Sequence, residues 1–168
     1  MKARNSIKVL ITLFLLGGLS SKAQLALNNN GSLVLKIDSG LVVHSDGDFA
    51  NMNTSSLVFE SLGEPHLEFD GDFINGTSAT LTAGLGLLDL TGSASQDLDF
   101  GGDDLYNLEI NNAAGGVFTR AATVSKEVQF TTGDFTTTDA NLLTFETGAT
   151  AAGATDASHV NGPVAKTL

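Results

Sequence analysis

Four close pairs of acids stand out as groups able to hold a cation: Asp46/Asp48, Asp70/Asp72, Asp97/Asp99 and Asp103/Asp104, several beside glycine. A hard ion such as Ca²⁺ collects about six to eight oxygen ligands, so Asp-Gly-Asp turns are the first place to expect calcium. Neither Asp46-Gly47-Asp48 nor Asp70-Gly71-Asp72 continues into an EF-hand loop, and no glycine-rich nonapeptide array is present. Acid-rich corners are also ordinary solvated turns. Calcium is therefore one of two readings of these pairs, and no residue is assigned as a metal ligand.

Other chemistries fare less well. Glycoside hydrolysis needs an acid and a base at a defined separation, and cutting an acidic sugar calls for a facing cation. Beyond residue 23 the only cations are Lys36, Arg120, Lys126 and Lys166, far apart in sequence. The three histidines His44, His66 and His159 lack an i, i+4 ligand spacing, and His66 follows Pro65 in what reads as a turn, so all three are expected at the surface. No Gly-x-Ser-x-Gly elbow is present. The threonines of Thr131-Thr132 and Thr136-Thr137-Thr138 do not repeat as a Thr-x-Thr ladder at any coil period, which argues against an ice-binding face. A non-catalytic chain with no assigned cofactor is the expectation.

The elements that carry these residues announce themselves by period. Short apolar–x–apolar words recur as Leu57-Val58-Phe59, Leu67-Glu68-Phe69, Leu88-Asp89-Leu90, Leu98-Asp99-Phe100, Leu108-Glu109-Ile110, Val128-Gln129-Phe130 and Leu143-Thr144-Phe145. A period of two means strands. Leu67, Leu88, Leu108 and Val128 follow one another at 21, 20 and 20 residues, with Leu57 and Leu98 about half a period away. The tripeptide Gly-Asp-Phe occurs at Gly47–Phe49, Gly71–Phe73 and Gly133–Phe135, reading as a corner glycine with positive φ followed by an inward aromatic.

An all-β parallel β-helix with coils of ~20 residues accounts for this spacing. About seven such coils stacked at the ~4.8 Å strand spacing make a rod roughly 35 Å long. A β-sandwich also has short strands every ~8–12 residues, but its units are less alike and less evenly placed. In the solenoid, Glu68, Asp89 and Glu109 share one outward slot in successive coils. Opposed like charges destabilise a sheet, so either a cation sits there or the register differs.

The first residues read as an export signal. Lys2, Arg4 and Lys8 precede the apolar run Val9–Leu19, and Ser21-Lys22-Ala23 offers small residues for cleavage, leaving Gln24 as the mature start. The run is short of the ~20 residues of a membrane span, and Gly17-Gly18 weakens it as a helix. Removing residues 1–23 takes away four cations and no acid, so the net charge goes from −11 to −15. Such a charge repels nucleic acid and anionic lipid. With no cysteine, stability must come from burial and hydrogen bonds. Residues 24–168 suffice for one acidic domain with little helix.

Three segments carry a resemblance: Leu105-Tyr106-Asn107-Leu108-Glu109-Ile110-Asn111-Asn112, Leu143–Thr150, and His159-Val160-Asn161-Gly162-Pro163-Val164. They resemble the strand and rung words of repeat-rich extracellular and cell-surface proteins of Bacteroidota, over residues 85–168 and more loosely back to Gln24. In that family a Gly-Pro-Val rung is followed by further chain and a sorting domain read by type IX secretion. The resemblance implies a piece of a longer exported protein, truncated at its C-terminal end. Low charge diversity and repeated coils suit a spacer, so the expected function is a non-catalytic stalk or adhesin-like module at the outer surface or outside the cell, whose partners are further domains of the same chain or surface glycans. The alternative from another class is a carbohydrate-active or glycan-binding β-helix, for which the aromatic platform is thin: Tyr106 is the only tyrosine and tryptophan is absent.

Overall fold

The computed structural model describes residues 26–168; the expected export signal of residues 1–23 and the expected mature start at Gln24 lie outside the described residues. The chain winds as a stack of coils whose strands pair in parallel with the coil before and the coil after. A seven-stranded sheet counts the coils, from Leu27–Asn29 through Phe49–Asn51 and Phe73–Asn75 to Val160–Asn161. An eight-stranded sheet forms a second face and a three-stranded sheet, Val34–Ile37, Ser56–Phe59 and Thr80–Thr82, begins the third. All ladders are parallel, and the only antiparallel pairings among the described residues are the isolated bridges Thr138–Asn141 and Thr155–Ser158. That excludes a sandwich, whose hairpins pair antiparallel. No helix occurs among the described residues, hence none long and apolar enough to cross a membrane.

The even spacing of the leucines is the register of the eight-stranded sheet. Leu67 pairs with Leu88, Leu88 with Leu108, and Leu108 with Val128, all buried. Leu57 belongs to the three-stranded sheet and Leu98 to the seven-stranded one, which is why they fall between the beats. The coils are less uniform than a fixed ~20-residue period. Gly116 meets Phe135 after 19 residues, whereas Phe135 meets Val160 after 25. Strand positions must match, but corners absorb extra residues.

Two long strands, Asp104–Asn111 and Ala122–Thr132, run through a corner that other coils turn. The second has two partners in line, Leu143–Phe145 beside Ala122–Val124 and Thr150–Ala152 beside Glu127–Gln129. Register shifts between Leu105 and Asn107 and between Ile110 and Asn111 take up the mismatch, as β-bulges do.

Inside, alternate residues stack coil on coil. Phe49 lies on Phe73 at 5.1 Å between ring centroids, and Phe73, Phe100, Phe118 and Phe135 follow at 5.0, 5.9 and 5.3 Å. A polar ladder runs beside them. Asn29 Nδ2 donates to Asn51 Oδ1, and Asn51 Nδ2 to Asn75 Oδ1, both at 2.7 Å, while the same two amides donate to the carbonyls of Ser56 and Thr80. Asn75 closes the ladder on Asp103 Oδ2, which also accepts the Leu81 amide. Burial of these amides is tolerable because each donor finds a partner.

Each Gly-Asp-Phe corner is a bracket between coils. Asp48 Oδ1 accepts the amide of Asp72, Asp72 Oδ1 that of Asp97, and Asp134 Oδ1 that of His159, at 2.8–3.0 Å. The aromatic of each opens an inward strand and is fully buried. The glycine serves for two reasons rather than one. Gly133 has the positive φ expected of a corner, +91°, but Gly71 does not; there a Cβ would come within 2.5 Å of the Asp48 amide nitrogen.

Candidate functional site

The outer face of the eight-stranded sheet brings a group of titratable side chains together. Within a strand, residues two apart share a face, so His66 and Glu68 both point outward. The coil register then sets Asp89 beside Glu68, Glu109 beside Asp89, and His44 on the far side of Glu68. The column of acids expected from the sequence therefore exists. Carboxylate oxygens of Glu68 and Asp89 come within 4.8 Å, which at an effective dielectric of about 20 is a repulsion of about 3 kcal/mol before screening.

Histidines supply the nearest compensation. His66 Nε2 is 3.5 Å from Asp89 Oδ2 and its Nδ1 4.0 Å from Glu68 Oε1. His44 lies 3.1 Å from Glu68 through Nδ1 and 3.0 Å from Asp46 through Nε2, with Asp70 at 3.9 Å. His159 Nδ1 lies 3.2 Å from Asp134. The spacing test applied to the sequence looks along one element, whereas each histidine meets an acid through the coil repeat or the strand's two-residue step. His66 is the most enclosed of the three. The Asp89 carboxylate holds its imidazole pKa above the ordinary 6.5, against the opposing effect of burial, with smaller help from Glu68 and Glu109.

Asp89 is the unusual member: it is only 6 % exposed although it faces outward. Its Oδ1 and the facing His66 Nε2 are buried without a well-formed hydrogen bond, as is Asn107 Oδ1. Beside them opens a cleft of about 260 Å³, lined by Glu64, His66, Leu87, Asn107, Glu109 and Glu127 among others.

The four acid pairs do not converge as pairs. Asp48 and Asp72 bracket coils, Asp99 holds the Arg120 guanidinium at 3.1 Å, and Asp103 ends the asparagine ladder. Asp46 and Asp70 meet across coils at His44, and Asp70 also accepts the Thr91 hydroxyl. Two groups among the described residues bring three ligand atoms within 4.8 Å of one another: His44, Asp46 and Asp70, largely solvent-exposed, and His66, Glu68 and Asp89, more enclosed. Both combine a histidine with acids from two coils, a set no single-loop motif describes.

No protein-family model, no curated protein and no solved structure matches the chain. Its function must be reasoned from the fold and from this face.

Proposed function

We propose that the chain is a non-catalytic structural module of the cell exterior, a stalk or adhesin-like rod that carries or displays other domains. The observation that supports this most is continuity: sheets, phenylalanine stack and asparagine ladder all run from coil to coil, so added residues become added length. A spacer needs length, stiffness and solubility. The signal-like start and the charge of −11, rising to −15 on cleavage, suit export and solubility.

An antibody against residues 24–168, used on periplasm, outer membrane and medium of the native host, tests the reading. A band well above 17.3 kDa at the cell surface or in the medium is expected. A band confined to the cytoplasm overturns it. A second reading, a glycan-binding face, is favoured by the cleft beside Asn107, whose carboxylate and amide lining offers hydrogen bonds to sugar hydroxyls. A glycan array probed with the exported protein distinguishes the two, since a spacer gives no saturable binding.

A further inference from the structure

A carboxylate on the outside of a sheet ordinarily turns to water. Asp89 instead sits nine-tenths buried between two acids of its own column, with Oδ1 making no hydrogen bond and Oδ2 3.5 Å from His66 Nε2, a loose contact that leaves that buried nitrogen without a well-formed hydrogen bond. Burying such groups without well-formed hydrogen bonds is costly, and a bound ion would satisfy the imidazole nitrogen and the carboxylate together.

We propose that His66, Glu68 and Asp89 bind a divalent metal ion of the zinc class, a role that goes beyond that of a spacer. One donor atom from each residue lies within 4.8 Å of the others. His66 Nε2 and Asp89 Oδ2 are 3.5 Å apart; donors around a tetrahedral ion with bonds of ~2.0–2.1 Å are separated by about 3.4 Å. Glu68 is partly exposed and closes the third side by a side-chain rotation. Asn107, with its own unpartnered oxygen, and Glu109, in register with Asp89, flank the group.

Donor chemistry selects the ion. An imidazole nitrogen with two carboxylates suits zinc and its neighbours, whereas calcium calls for an all-oxygen shell of higher number. Bound there, a dication neutralises the column that Glu68 and Asp89 otherwise leave repelling, and it ties one coil to the next.

Isothermal titration of ZnCl₂ into protein exported from cells expressing the full chain, after chelator treatment and dialysis, tests the site, with CaCl₂ as comparator. Expected are one high-affinity zinc equivalent, weaker calcium binding, and a loss of zinc affinity of about tenfold or more in both Asp89→Asn and His66→Gln. His159→Gln, on another face, keeps wild-type affinity. Should Asp89→Asn fail to fold by circular dichroism, His66→Gln carries the test, its side chain being the more accessible. Absence of zinc binding, calcium binding more tightly than zinc, or affinity unchanged in His66→Gln but lost in His44→Gln each overturns the proposal.

Discussion

At the scale of single residues, His66 ties the chain's stability to pH. In metal-free protein its pKa is raised on folding, chiefly by Asp89. The sign follows: the protonated ring stabilises the fold fully below the unfolded value near 6.5, and that contribution is lost as pH climbs through the raised folded value. Urea midpoints measured with chelator should therefore fall as pH climbs from below 6.5 through the raised folded value, and the fall should be smaller in His66→Gln. Gly133 makes a different demand. Its φ of +91° excludes most side chains, and a Cβ there would lie 1.8 Å from the Asn112 carbonyl oxygen. Gly133→Ala should cost at least about 2 kcal/mol in chemical denaturation, strain and clash together.

At the scale of elements, ladders matter more than strands. Asn51 accepts from Asn29 and from the Ser55 hydroxyl and donates to Asn75 and the Thr80 carbonyl. Asn51→Leu keeps the branched shape but leaves buried partners in two neighbouring coils without hydrogen bonds, so a loss of about 2–4 kcal/mol is expected in urea unfolding. Leu67, Leu88, Leu108 and Val128 made the eight-stranded sheet legible in the sequence because each pairs directly with the next in successive coils. The acid column at Glu68, Asp89 and Glu109 followed from the same counting. The asparagine ladder did not, although Asn29, Asn51 and Asn75 recur at 22 and 24 residues, because asparagine reads locally as a turn residue. The meeting of His66 with Asp89 was hidden for a related reason: it depends on which corner residues lengthen each coil, and composition does not reveal that.

Across the whole molecule, neighbours touch and distant coils do not, so damage should stay local. Hydrogen exchange on Asn51→Leu should show protection lost around Phe49–Asn75 while Val124–Phe135 keeps its own. The first described coil carries Leu33, Val34, Leu41 and Val42 more than half exposed, an apolar surface that invites association. Val34→Lys combined with Val42→Lys should reduce the rise of scattered light with concentration. Finally, the Gly-Asp-Phe brackets give the rod an arrow. Asp48, Asp72 and Asp134 each extend an acceptor to an amide that comes later in the chain. A chain folding from its amino end thus finds each of these acceptors already in place when the strand it fastens arrives, and the rod can grow as a zip closes, from first coil to last.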